Sequence, residues 1–273
     1  MNITLKTRTE TDRIDEPADP MADGTHARAL GLTHANGPVV AVCGLAGGAG
    51  TSTLAYLIGR YAAAWSSAPM LVTEVEAAAG GLARITGATS PLTLAEIAGR
   101  AASDRPAAGL PFVTLDDGLR LIASPPLAAG AMFEDEVSGV LESAQARHAL
   151  TVVDCGTLQT PGARGALAAA THVVWTVPHA PWTVEQVTAC LLSHVAPVTT
   201  AAELLAVVDV RRAARGVGRE LRNVAAERCR RLVYVPFDKA IAEGETADPR
   251  RQLESSLAAI QTFLSRVTTP AER

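Results

Sequence analysis

The chain has 273 residues and 48% hydrophobic content, enough for one large domain with a substantial core. A formal net charge of −4 excludes a wholly basic nucleic-acid binder while leaving room for a local basic patch. No apolar run approaches the ~20 residues that span a bilayer, which argues against a membrane protein.

Four cysteines (Cys43, Cys155, Cys190 and Cys229) lack CxxC or zinc spacing, and no signal-peptide pattern precedes them. They read as reduced, mostly buried small residues of a cytoplasmic protein. Basic residues are almost all arginine, Lys6 and Lys239 being the only lysines.

Residues 1–37 hold Thr, Asp, Glu, Pro and Gly with little periodic apolar content and read as a disordered tail. Residues 38–273 read as one domain. Expected strands are Val39–Cys43, Met70–Val75, Leu119–Ala123, Leu150–Cys155, His172–Val177, Leu204–Val208 and Arg231–Val235. Helical patterns fall near Ser52–Trp65, Leu92–Ala102, Phe133–His148, Ala163–Ala170, Val184–His194, Gly216–Glu227 and Arg250–Val267. Val- and Leu-rich strands without polar alternation suit a parallel sheet buried on both faces. Strands alternating with helices imply right-handed crossovers, so the expected fold is α/β, a doubly wound, mostly parallel sheet with helices on both faces.

The first strand runs into Gly44-Leu45-Ala46-Gly47-Gly48-Ala49-Gly50 and then Thr51-Ser52-Thr53, which opens a helix. Glycines let the backbone curl so that successive N–H groups face an anion, and the helix N-terminus adds partial positive charge. This is the layout of a phosphate-binding loop, with Ser52 where such loops place a magnesium ligand. A dinucleotide fingerprint fits less well, because Thr53 holds the place of its third glycine, although Glu74 lies near the distance of its acidic partner.

Two more strand ends carry acids. Thr151-Val152-Val153-Asp154-Cys155-Gly156 suits a Walker B-type site, in which a carboxylate orients magnesium-bound water and glycine lets the next loop approach a phosphate. An Asp that simply ends a strand and starts a turn is the plainer alternative. Leu71-Val72-Thr73-Glu74-Val75-Glu76 ends in two acids that either position water or magnesium or stand as solvated carboxylates.

With these segments in order, the chain resembles the ParA/MinD family of deviant Walker A ATPases. Leu45–Thr53 matches that family's glycine loop, Glu74-Val75-Glu76 its second-strand acids, and Asp154-Cys155-Gly156 its switch II. Ala170–Pro178 resembles the next family strand. Val233–Gly244 resembles the last strand and the loop bordering the adenine base. The resemblance implies ATP or ADP and Mg2+ as ligands, with Gly47, Gly48, Ala49, Gly50, Thr51, Ser52 and Thr53 around the phosphates. It also implies Ser52 and Asp154 at the metal, Asp154, Glu74 and Glu76 at the reacting end, and Pro236 and Phe237 beside the base.

A homodimer and a protein partner are implied as well. Both family lysines are replaced, by Ala46 and Thr51. Removing one charge-assisted hydrogen bond to phosphate costs about 1.5–3 kcal/mol, so the expectation is a nucleotide-binding regulatory or positioning factor with weak or absent hydrolysis. Absence of the lysine at the second position resembles TadZ/CpaE-like scaffolds. A slow ATPase switch for a secretion, pilus or division apparatus is the alternative.

Arg211, Arg212, Arg215, Arg219 and Arg222 begin an arginine cluster that runs to Arg231 and is opposed by Glu220 and Glu227. It reads either as a solvated helix face or as a non-specific DNA contact surface through phosphates. Leu253, Leu257, Ile260, Leu264 and Val267 form a helical stripe whose mixed polar flank favours core over a membrane anchor.

Overall fold

The computed structural model describes residues 36–64, 66–75, 80–102, 110–125, 132–178, 184–193, 202–210, 217–225, 229, 232–236 and 264. The expected tail up to residue 35 lies outside the described residues, as does the expected C-terminal helix apart from Leu264. In chain order the elements are β1 (Val39–Gly44), α1 (Thr51–Ala64), β2 (Met70–Glu74), α2 (Gly81–Thr86), α3 (Leu94–Ala102), β3 (Val113–Thr114) and β4 (Arg120–Ile122). They continue with α4 (Glu134–Gln145), β5 (Leu150–Asp154), α5 (Pro161–Ala169), β6 (His172–Pro178), α6 (Val184–Ser193), β7 (Ala202–Val210), α7 (Val217–Val224) and β8 (Leu232–Pro236).

The strands form one eight-stranded sheet in the order β3-β4-β2-β5-β1-β6-β7-β8. Pairing is parallel except between β3 and β4. The doubly wound α/β expectation is met. β1 is central because its Val-Val-Ala-Val-Cys-Gly sequence has no polar side chain to keep wet, and every residue of it is buried. Its side chains alternate between two cores. Val39, Ala41 and Cys43 join Ile97, Val140, Leu167 and Val187 of α3, α4, α5 and α6 on one face. Val40 and Val42 join Leu54, Ile58 and Tyr61 of α1 and Leu82 of α2 on the other. Leu264, also in this second core, is fully buried, as the apolar stripe implies for that position.

Local chemistry sets several boundaries. Thr93 and Glu96 form a reciprocal cap, Thr93 N–H donating to Glu96 Oε2 (2.7 Å) and Glu96 N–H to Thr93 Oγ1 (3.2 Å), so α3 starts at Leu94 rather than Leu92. Thr160 Oγ1 accepts from Ala163 N–H (3.2 Å) with Pro161 at the first helical position, which starts α5 two residues before the expected Ala163. Asn36 and Gly37 donate their N–H groups to the carbonyls of Gln145 (2.8 Å) and His148 (3.1 Å).

Two elements are not legible in the sequence: α2, a six-residue helix opening on glycine without a side-chain cap, and β3, a two-residue edge strand. Next to β1, buried Trp175 donates its indole N–H to Glu203 Oε2 at 2.8 Å. Near the start of β4, the Arg120 guanidinium lies 4.5 Å over the Phe112 ring, and its Nη1 is 3.3 Å from His148 Nε2. His148 Nδ1 is 2.8 Å from the Ala144 carbonyl. Burial, with Arg120 and Arg147 adding to it, holds the His148 pKa below its usual value.

Candidate functional site

In open α/β sheets, ligands sit at the carboxyl ends of the strands where the winding reverses. Here that point is β1, with β5 on one side and β6 on the other. The glycine loop begins there. Gly44 N–H donates to Gly156 O (2.7 Å), and Leu45 N–H donates to Thr176 O (2.9 Å). Those bonds fix the loop's base to the ends of both neighbouring strands.

Gly48 (φ 75°) and Gly50 (φ 78°) take left-handed conformations that only glycine adopts cheaply. Gly50 has a second reason, since a Cβ there would come 2.6 Å from Val208 Cγ1 of β7. Gly47 and Gly48 are exposed, with open space around them, so the loop's outer rim is bare backbone. The loop closes when Leu54 N–H donates to Gly50 O (2.9 Å) as α1 starts.

Thr51 occupies the position of the ordinary phosphate-loop lysine, and its hydroxyl stays beneath the loop. Thr51 Oγ1 is 3.0 Å from Thr176 Oγ1 of β6, both groups being buried. Thr176 Oγ1 also donates to the Cys43 carbonyl at 3.4 Å. Sequence reasoning missed Thr176; its one signal is a polar residue interrupting the apolar run of β6. The other lysine position, Ala46, is partly exposed on the loop.

Ser52 and Asp154 meet across the loop. A Cβ built on Gly81, the first residue of α2, would collide with Ser52 Oγ and stand 3.6 Å from Asp154 Oδ2. Hydroxyl and carboxylate therefore flank one spot. Asp154 is 4% exposed, and its Oδ1 accepts from Gly156 N–H at 3.1 Å. An all-oxygen pair of this kind suits a hard divalent cation. The residues present fit both implied ligands, with the exposed amides of Gly47 and Gly48 for phosphate oxygens (Ala49 N–H donates to Ala46 O within the loop, 3.3 Å) and Ser52 with Asp154 for magnesium.

Glu74 is the direct neighbour of Asp154 in the β2–β5 register. It is 2% exposed, yet both its oxygens are engaged. Oε2 accepts from Leu82 N–H (3.1 Å) and Oε1 from Ser124 N–H (2.6 Å). Burial pushes its pKa up to about 7, the two amide bonds oppose the rise, and the Asp154 carboxylate adds to it.

The remaining expected residues do not converge with this group among the described residues. Thr53 lies one helical position further on. Pro236 ends β8 at the sheet edge, three strands from β1. Arg222 is exposed on α7, which also carries Arg219. Glu76, Phe237, Arg211, Arg212 and Arg215 lie outside the described residues.

A glycine loop between the central strand and its helix, with a carboxylate ending the adjacent strand, is the layout of a P-loop NTPase-type fold. Comparison with solved structures narrows the class. A ParA family ATPase from Chlorobium tepidum TLS superposes with a TM-score of 0.68 and 17% identity, covering 83% of this chain and 98% of that one. A putative plasmid partition protein from Borrelia burgdorferi B31, bound to AMPPNP, gives 0.64 and 14% over 84% and 99%. The MinC:MinD cell division complex from Aquifex aeolicus gives 0.64 and 15% over 86% and 99%. No protein-family model and no curated protein sequence matches the chain. The chain has the ParA/MinD-type fold. Among the described residues, no helix is long and apolar enough to cross a membrane.

Proposed function

We propose that this protein is an ATP-binding regulatory or positioning factor with weak or absent hydrolysis. The observation that carries the reading is the Thr51–Thr176 hydroxyl pair. A hydroxyl stands where the phosphate-loop lysine belongs, and it is bonded beneath the loop rather than offered to its mouth. The amides of Gly47, Gly48, Gly50 and Thr51 cradle phosphates of ATP or ADP, with Ala49 in the same loop and Thr53 completing the first turn of α1. Ser52 and Asp154 take magnesium, whose charge replaces part of what the two lysines would supply. Pro236 and Phe237 border the base, and Glu76 stands at the switch I position.

Phosphoryl transfer depends on positioned charge at the transferred group. Without either lysine, binding survives better than chemistry, so the working output is a bound conformation. In the cytoplasm such a pseudo-ATPase acts as a homodimer that engages a protein partner. Titration of ATP with and without Mg2+, with molecular mass measured by light scattering in the same samples, tests the reading. Magnesium-dependent binding with turnover near background supports it. Robust turnover, or no binding at any concentration, defeats it.

A second reading, non-specific DNA binding in a partition-type ATPase, is favoured by exposed Arg222 on α7 and the arginines before it. Salt-sensitive retention of DNA, abolished by charge reversal at Arg219 and Arg222, is its test.

A further inference from the structure

We propose that α2 is a built-in stopper of the nucleotide site. Its first turn, held down by the Glu74 carboxylate, packs against the partly buried Ser52, so magnesium and phosphate reach Ser52 and Asp154 together only when α2 withdraws. The inference rests on the nucleotide-binding reading and concerns the regulation of that same site.

Three observations carry it. First, Gly81 packs so closely on Ser52 that a Cβ would collide with Ser52 Oγ and lie 2.9 Å from Ser52 Cβ. The same point is 3.6 Å from Asp154 Oδ2. Gly81 thus packs on Ser52, on the side that faces Asp154, and these are the two groups that would ligate a cation. Second, the hold is specific. One buried carboxylate accepts Leu82 N–H from α2 at 3.1 Å and Ser124 N–H from beyond β4 at 2.6 Å. Third, the helix is flanked at both ends by glycine. Gly80 (φ 53°) and Gly87 (φ 67°) bracket it in left-handed conformations.

The anchoring of the segment is unequal at its two ends. Past Gly87, Ser90 is bound to β4 by three hydrogen bonds: its N–H donates to Ala123 O (2.9 Å), its Oγ donates to Leu121 O (2.9 Å), and Ala123 N–H donates to its Oγ (2.9 Å). At its start, α2 is held by Glu74 and by the buried Leu82 and Ala83, with Ile85 packed on the same core. A short helix fixed behind its C-terminal glycine and latched at its front swings at the front. Released Leu82 amide and freed Ser52 hydroxyl then come together as one event.

The stopper lowers apparent affinity by the fraction of molecules that are open. Two whole-chain variants test it with ATP plus Mg2+ as the probe. Gly81→Ala pushes α2 off Ser52, and Glu74→Gln keeps the side chain's shape while placing an amide NH2 against one of the two N–H donors. Both are expected to speed hydrogen exchange at Leu82 and to bind Mg·ATP at least about fivefold tighter than wild type. Saturating Mg·ATP is expected to speed Leu82 exchange in the wild type. Far-UV dichroism checks that each variant is folded, and Gly81→Ala decides alone if Glu74→Gln is not. If the wild type binds Mg·ATP while the variants bind no tighter, or Leu82 stays protected in the bound wild type, the stopper falls and the nucleotide reading stands. If wild type and variants all fail to bind, the nucleotide reading falls and the stopper falls with it.

Discussion

Thr51 Oγ1 and Thr176 Oγ1 lie 3.0 Å apart beneath the glycine loop, joining the first residue of α1 to the strand beside β1. The two partners are not equivalent, since Thr176 has a second partner in the Cys43 carbonyl, to which its hydroxyl donates. Thr176→Val therefore strands the Thr51 hydroxyl and is expected to cost about 1–3 kcal/mol, whereas Thr51→Val leaves Thr176 bonded and costs about half as much. The double variant is expected to cost less than the two singles together. Urea unfolding of all four proteins measures the coupling, and strict additivity would dissolve the pair.

Ala46 is partly exposed on the loop, so a longer side chain there meets solvent rather than core. Ala46→Lys is expected to leave the melting temperature within a few degrees of wild type. It strengthens ATP binding by about 1.5 kcal/mol, roughly tenfold, through one added charge-assisted hydrogen bond. Calorimetric titration of both proteins checks this, and unchanged affinity would mean that the loop does not hold phosphate.

Gly50 combines a φ of 78° with a Cβ position 2.6 Å from Val208 Cγ1. Gly50→Ala is expected to destabilise by about 1–3 kcal/mol, part backbone strain and part clash. Adding Val208→Ala removes the clash but leaves the strain, so the double variant recovers only part of the deficit relative to Val208→Ala alone. Full recovery in thermal melts would show that the backbone conformation is innocent.

Stability is expected to follow pH in two opposing limbs. Burial raises the Glu74 carboxyl to about 7, so the folded state holds that proton more tightly than the unfolded chain does. The resulting stabilisation is complete below the unfolded value near 4.5 and is lost as pH rises through about 7; its full size is on the order of 3 kcal/mol. His148 and His172 are both lowered by burial, so their neutral forms favour the fold and that contribution is lost as pH falls below about 6.5. The Glu74 limb runs mainly between pH 7 and 4.5, where stability gained on acidification opposes the histidine decline. Glu74→Gln is expected to flatten that limb while keeping the decline below pH 6.5. Denaturant midpoints across the range decide it, and matching profiles for the two proteins would remove Glu74 from the account.

The strands of this fold are readable because each central one is a short Val- and Leu-rich run that must be covered on both faces, as in Val39–Gly44 and Leu150–Asp154. β7 is longer at both ends than its apolar run suggests. Its register with β8 shifts between Val208 and Val210, a break in regular pairing that composition does not announce. α2 is invisible in the sequence because Gly80 and Gly81 disfavour a helix locally; its place is set by Glu74 accepting the Leu82 amide.

The candidate site divides in the same way. Ser52 and Asp154 are legible from strand–loop–helix spacing, which fixes backbone position. What Thr51 and Glu74 do there is not. Hydrogen bonds to Thr176, Leu82 and Ser124 span 125, 8 and 50 residues of sequence, and only the folded sheet brings those partners together.

Trp175 immediately precedes Thr176, and its indole is fully buried with its N–H on Glu203. The molecule therefore carries its own optical gauge one residue from the loop's underside. Its emission should be blue-shifted in the native protein and move to the red when β6 and β7 part. With Trp65 and Trp182 replaced by Phe so that Trp175 alone emits, Glu203→Gln tunes that colour without touching the loop, and a change of hue on adding nucleotide can be traced to the strand that holds Thr176.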